Sequence, residues 1–166
     1  ANYYKPGPAT KPGDVSHRIA NPSTRNGDAD YGKWYIADNV VEGNSTVTAD
    51  NWNGGVQPSK SIFKLNQPWP AMAINQQTPQ EAYNSVLAHA GCSLKRDAVD
   101  ARIIEEVRNG TATYGDDGII DSQKDVGGWP ELKSTTAPTD SDHDGMPDEW
   151  EIKKGLNPKN AADRNN

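Results

Sequence analysis

Apolar residues occur in this chain only in runs of a few residues, each soon cut off by Gly, Pro, Asn or Asp. Such a pattern leaves no room for a membrane-crossing helix, which needs about 20 apolar residues in succession. It also restricts regular structure to short elements with frequent corners. Packing is constrained in the same way. Leu, Ile, Val and Phe number 24 of 166 residues, about 14%, which is below the ~20% at which disorder becomes a live reading. Charge argues against a wholly disordered chain, because 17 basic and 23 acidic residues leave a net charge of only −6. Gly (15), Pro (12) and Asn (15) together make up about a quarter of the residues. The chain therefore reads as loop-rich with a thin core, or as a piece of a larger body that supplies the rest of the core.

Several classes drop out. The opening Ala1-Asn2-Tyr3-Tyr4-Lys5-Pro6 lacks an apolar signal region, so an exported protein would be represented here by a mature or truncated form. The single cysteine, Cys92, forbids an internal disulfide and reads as a small buried hydrophobe. A pI near 5.0 and the lack of a Lys/Arg cluster argue against nucleic acid as a partner.

Three regions follow from the punctuation. Residues 1–78 combine loops with short β-like runs: Lys33–Ile36, Val40–Glu42, Thr46–Thr48 and Ser61–Leu65. Strands this short with Asn and Gly corners suit a β-solenoid coil, and a small sandwich nearly as well. Residues 79–139 carry two helices. The first has Thr78 as N-cap, Pro79 at the first helical position, Glu81 completing a capping box and Gly91 beyond its end. Its apolar stripe is Tyr83, Val86, Leu87 and Ala90. The second runs from about Asp97 to Asn109, with Val99, Ile103, Ile104 and Val107 on one face and Gly110 as its stop. Residues 140–166 form a compact acidic element followed by a polar tail, Lys159 to Asn166, that reads as frayed.

The acidic element carries the clearest chemistry. Asp140-Ser141-Asp142-His143-Asp144-Gly145-Met146-Pro147-Asp148-Glu149-Trp150-Glu151 fits the twelve-residue calcium loop of EF-hand type. Asp140, Asp142 and Asp144 take loop positions 1, 3 and 5, and Gly145 permits the sharp turn at position 6. Met146 offers its carbonyl at position 7, Asp148 binds directly or through water at 9, and Glu151 is bidentate at 12. A hard cation wants about six to eight oxygens, and alternating carboxylates around a glycine deliver them. The plainer alternative is a solvated acidic turn. With one loop and no second hand, the site reads as a structural clip rather than a sensor. The following stretch, 148–154, reads as a short helix stopped by Gly155, with Trp150 and Ile152 packing back on the body.

Evidence for catalysis is thin. His17 and His89 have no nucleophile beside them, and no phosphate loop, zinc spacing or nucleophile elbow is present. Arg96 and Arg102 read as helix-capping and solvated. Trp52, Trp69 and Trp129 either stack on sugar rings or anchor loops to the core.

Collinear segments resemble a known family. Asn2-Tyr3-Tyr4-Lys5-Pro6-Gly7-Pro8-Ala9, Gly32-Lys33-Trp34-Tyr35, Asn39-Val40-Val41-Glu42-Gly43-Asn44 and Asp50-Asn51-Trp52-Asn53-Gly54-Gly55-Val56-Gln57 resemble the C-terminal portion of secreted bacterial pectate lyases of polysaccharide lyase family 1. So do Ala90-Gly91-Cys92-Ser93-Leu94-Lys95-Arg96-Asp97-Ala98-Val99-Asp100, Gly127-Gly128-Trp129-Pro130, and the EF-hand-like, thrombospondin type 3-like loop with Gly155-Leu156-Asn157-Pro158. The resemblance implies a mainly β fold: the terminal coils of a right-handed parallel β-helix, with two covering α-helices, long loops and a C-terminal calcium loop-helix. It implies β-elimination on polygalacturonate, in which calcium binds the uronate carboxylate, a base removes the C5 proton and the 4-linked sugar leaves. It implies an extracellular or periplasmic setting, and the upstream portion of the same enzyme as a partner.

None of Arg18, Arg25, Arg96, Arg102, Arg108 or Arg164 sits in the family's catalytic context, so no catalytic residue is assigned and the chain alone is expected to be inactive. Asn51, Trp52 and Asn53 are the candidates for substrate contact. The competing reading is a stand-alone, calcium-stabilised carbohydrate-binding or scaffold module without catalysis.

Overall fold

The computed structural model describes residues 1–165. The chain divides into two compact units, Ala1–Pro130 and a second from Glu131 onward.

In the first unit, strand β1 (Tyr3–Tyr4) pairs in parallel with β2 (Val40–Val41). This two-stranded ladder is followed by a short helix, α1 (Ser45–Ala49), and by two longer ones, α2 (Pro79–His89) and α3 (Ala98–Asn109). Two further parallel contacts, Ala20 with Val56 and Trp34 with Lys64, are single bridges. With isolated bridges counted, strand amounts to 6% of the chain, and α-helix and 3₁₀ turns together to 32%. The expected mainly β fold, with terminal coils of a parallel β-helix, is therefore corrected: parallel pairing occurs, but it never extends beyond two residues.

The reason lies in side chains that compete with the ladder. Thr46-Val47-Thr48, expected to be a strand, lies inside α1. The Asn44 side chain accepts from Val47 N at 3.0 Å and starts the helix. Thr48 then docks that helix on β2, its Oγ1 accepting from Val41 N at 3.0 Å and donating to Val41 O at 3.2 Å. In Ser61–Leu65, residues Ser61–Phe63 form a 3₁₀ turn. Lys33–Ile36 contributes only the bridge at Trp34, where Trp34 N donates to Phe63 O and Leu65 N to Trp34 O, each at 2.7 Å.

The core is correspondingly small. Trp52, Val56 and Phe63 form its centre, with Tyr31 and Ile36 against it. Beside it runs a buried amide network. Asn51 Oδ1 accepts from both nitrogens of Asn39 at 2.9 Å, and Asn51 Nδ2 donates to Asn39 O and Val47 O. Asn39 Oδ1 accepts in turn from Asn2 N at 2.9 Å, which brings the start of the chain into the same network. Gly55 is needed for close approach: a Cβ there would lie 2.5 Å from Asn51 O and 2.8 Å from Val47 Cγ1.

The two long helices follow their local signals. Thr78 and Glu81 form a reciprocal capping box on α2, and Arg96 Nη2 donates to Leu87 O and Ala88 O at 2.8 Å at its C-terminal end. Asp97 caps α3 through the N–H groups of Val99 and Asp100, and Gly110 ends it in the left-handed region at φ 65°. Of their apolar stripes only Leu87 and Ile104 are buried, while Val86, Ile103 and Val107 are exposed. Tyr83 stacks on Tyr3 with ring centroids 4.6 Å apart, joining α2 to β1. Beside that pair, Glu42 accepts from Lys5 Nζ at 2.8 Å and Tyr3 Oη at 2.7 Å. The Lys5 ammonium, and then the Tyr3 hydroxyl, hold the Glu42 carboxyl below its ordinary range. Cys92, expected to be buried, is exposed.

The second unit contains helix α4 (Asp148–Lys154), which ends at Gly155 in the left-handed conformation. Leu156 N donates to Glu151 O at 2.9 Å, completing a Schellman-type stop. Trp150 and Ile152 are exposed, contrary to the expected packing. The tail is not simply frayed: Asn160 N and Lys159 N turn back on Asn157 O, and Asp163–Asn165 forms a 3₁₀ turn.

Candidate metal centre

The twelve-residue loop closes on itself before any ion is considered. Asp148 N donates to Thr139 O at 2.9 Å, which brings the loop's exit back to its start. Its turns lie in the left-handed region at His143 (φ 61°) and Gly145 (φ 95°), the latter where the pattern wants glycine. His143, at position 4, is exposed.

The aspartates at positions 1, 3 and 5 each fix one oxygen on a backbone N–H. Asp140 Oδ2 accepts from Gly145 N at 3.0 Å, Asp142 Oδ1 from Asp144 N at 3.3 Å, and Asp144 Oδ1 from Met146 N at 2.8 Å. The other oxygen of each of these three is buried and, among the described residues, unpartnered: Asp140 Oδ1, Asp142 Oδ2 and Asp144 Oδ2. Ligand oxygens of these three aspartates lie within 4.8 Å of one another. Glu151, projected from the first turn of α4, is 0% exposed, and neither of its oxygens has a partner among the described residues.

A buried carboxylate without a hydrogen bond is costly. Burial is the main cause that raises the Glu151 pKa, and the charges of Asp142, Asp144 and Asp163 push in the same direction. The arrangement is what a hard, oxygen-loving cation relieves. The donors are all oxygens, with no imidazole or thiolate among them, which favours calcium over zinc.

The sequence pattern and the geometry part at two residues. Asp148, expected at position 9, has both oxygens engaged by Ser141: Oδ1 accepts from Ser141 N at 2.8 Å and Oδ2 from Ser141 Oγ at 2.7 Å. Those bonds hold its pKa below the ordinary value. Conversely, Asp163 in the tail joins Asp144 and Glu151 in a second acidic group whose ligand oxygens lie within 4.8 Å of one another. No short-range periodicity marks Asp163. The only available signal is the helix stop at Gly155 followed by Asn157-Pro158, which turns the chain back toward the loop.

The expected substrate residues take other places. Asn51 is buried and spends its amide in the network described above. Trp52 is 7% exposed, with Nε1 donating to Ile36 O at 3.0 Å. Of the three, only Asn53 is exposed. This arrangement does not support sugar contact by Asn51 or Trp52. Among the candidate tryptophans, Trp69 and Trp129 have exposed rings.

Comparison with known proteins supplies the context. No family profile matches the chain. It is 33% identical over 98% of its length to a "Probable pectate lyase C" of Emericella nidulans, of which it covers 36%. It is 38% identical over 76% of its length to the "Probable pectate lyase C" of Aspergillus oryzae, covering 30% of that protein. A "Probable pectate lyase C" of Aspergillus fumigatus is 31% identical over 95% of the chain, with 35% of its own length covered. The chain is thus similar to pectate lyase C proteins over most of its own length, and spans about a third of the length of these curated relatives. These three relatives come from fungi, whereas the motifs suggested a bacterial group.

Proposed function

We propose that this chain is the C-terminal part of a calcium-dependent pectate lyase that cleaves polygalacturonate by β-elimination. Its reacting groups lie in an upstream portion, and residues 140–151 hold a structural calcium ion. The lyase assignment is supported by similarity to pectate lyase C proteins along 98% of the chain. The calcium assignment is carried by one observation: buried, unpartnered carboxylate oxygens of Asp140, Asp142, Asp144 and Glu151 in a single loop-helix. With the carbonyl of Met146 as the position-7 ligand, these residues provide the oxygen set that calcium takes. The ion's role is to neutralise the carboxylates and tie the start of the loop to α4. Polymeric pectate as substrate also puts the site of action outside the cell.

Two measurements test the reading. The isolated chain yields no unsaturated product from polygalacturonate, read as new ultraviolet absorbance, and the same chain joined to its upstream portion yields it; robust activity from the isolated chain refutes the assignment of the reacting groups. Calcium raises the melting temperature of the second unit and chelation lowers it, because an ion bound only to the folded form contributes about 2.7 kcal/mol at a hundredfold excess over Kd. Insensitivity of both the wild type and a Asp140→Ala/Asp142→Ala variant to calcium refutes the structural clip. The exposed rings of Trp69 and Trp129 are the observation that favours a carbohydrate-binding module instead. That reading requires saturable polysaccharide binding without product, lost on replacing those rings.

A further inference from the structure

We propose that Asp163 is a ligand of the same ion, supplied from outside the twelve-residue loop, and that the ion thereby fastens the C-terminal turn, residues 156–165, to the loop and α4. The inference rests on the calcium reading above and adds to it both a ligand and a consequence.

The first support is a shared signature. Each of Asp140, Asp142 and Asp144 has one oxygen on a backbone N–H and one buried oxygen with no partner. Asp163 repeats this pattern: Oδ2 accepts from Asn157 N at 2.9 Å, and Oδ1 is buried without a partner among the described residues. It is 9% exposed, an unusual place for a carboxylate in a polar tail. The second support is position, since its ligand oxygen lies within 4.8 Å of those of Asp144 and Glu151. The third is a vacancy in the expected set. Asp148 has both oxygens engaged by Ser141 and carries no unpartnered oxygen.

The oxygen count then closes. Among the described residues, six buried side-chain oxygens of this region lack partners: one each from Asp140, Asp142, Asp144 and Asp163, and two from Glu151. Adding the Met146 carbonyl gives about seven, within the six to eight that calcium takes. Without Asp163 the chain itself offers only the lower limit. The backbone explains how the tail is brought in. The Schellman-type stop at Gly155 reverses the chain, and the Asp163 carboxylate accepts from Asn157 N, at the start of the turn that carries it. An ion gripping Oδ1 thus holds a closed turn rather than a loose end.

The test uses the full chain with calcium as the probe. Calcium affinity is measured by isothermal titration for the wild type, Asp142→Asn, Asp163→Asn, and the exposed control Asp121→Asn. Trypsin cleavage after Lys159 and Arg164 is followed in parallel by mass spectrometry, with and without calcium. Asp163→Asn keeps an oxygen for Asn157 N, so the turn retains its internal bond. The expected result is a loss of affinity of about tenfold or more in Asp163→Asn, since even outer-shell partners of metal sites are worth 10- to 100-fold. Calcium is also expected to slow tail cleavage in the wild type and in Asp121→Asn, but not in Asp163→Asn. If Asp142→Asn loses calcium while Asp163→Asn binds like the wild type and keeps calcium-dependent tail protection, the Asp163 assignment is overturned and the loop site stands. If the wild type binds no calcium, both fall.

Discussion

Replacing Asn51 with Ala is expected to destabilise the Ala1–Pro130 unit by about 3–5 kcal/mol. The figure follows from the bonds this amide makes in a buried place. Oδ1 accepts from Asn39 N and Nδ2 at 2.9 Å, and Nδ2 donates to Asn39 O at 2.9 Å and to Val47 O at 2.7 Å. Truncation strands the Asn39 N–H, the Asn39 carbonyl and the Val47 carbonyl, whereas Asn39 Nδ2 keeps its bond to Ala37 O at 3.1 Å. Each stranded buried group costs ~1–3 kcal/mol, and water entering the gap recovers part of that sum. For a unit of this size the loss corresponds to a fall in Tm of roughly 10–15 °C. Thermal and urea unfolding followed by tryptophan fluorescence measure it, with Trp52 as a reporter beside the network. The exposed neighbour provides the contrast, because Asn53→Ala should stay within ~0.5 kcal/mol of the wild type. If Asn51→Ala also unfolds within ~1 kcal/mol of the wild type, the claim that this amide organises the unit is refuted. Asn51 then returns to the candidates for sugar contact.

Three further outcomes are expected. Gly55→Ala should cost ~1–3 kcal/mol by overpacking, since the new Cβ meets Asn51 O at 2.5 Å; wild-type stability in a denaturant titration would contradict the crowding. Glu42→Gln should cost only ~0.5–1 kcal/mol, because the Lys5–Glu42 pair is partly exposed. The folded pKa of Glu42 is depressed, so its contribution is present above the unfolded carboxylate pKa and is lost as pH falls through the lower folded value; a pH–stability profile unchanged by the substitution would exclude it. Glu151 works in the opposite sense. Its folded pKa is raised in the absence of an ion, so the ion-free second unit loses stability as pH rises from the ordinary carboxylate pKa through the raised value. Calcium and protons compete for the same oxygens, so calcium affinity should rise with pH across that window and level off above it. Titrations at several pH values that give one affinity would count against this.

What could be read in the sequence was whatever is decided within one turn of chain. The capping box Thr78/Glu81, the Asp97 cap and the glycines at 91, 110 and 155 act on their immediate neighbours, and the helices lie where these residues put them. The aspartate spacing of the loop is local in the same way. The β region is less legible, because alternation is a weak signal over runs of about three to five residues. At Thr46–Thr48 the Asn44 cap and the Thr48–Val41 bonds decide for helix, and the second of these reaches back across the turn to β2, which alternation within the run does not register. Asp163 was missed for the same reason, since its partners lie across a chain reversal. Asn51 and Trp52 look like a displayed polar-aromatic loop in one dimension and are interior residues in three.

The backbone bonds made by the loop aspartates have a consequence for cation choice. With one carboxylate oxygen of each already anchored to an amide, the opposing oxygens cannot draw inward freely around a smaller guest. Magnesium demands near-octahedral contacts of about 2.0–2.1 Å and sheds its hydration reluctantly, whereas calcium accepts irregular shells at 2.3–2.6 Å. If the loop holds calcium as proposed, discrimination by size would follow from its main chain, and it would persist in a medium where magnesium is the more abundant of the two.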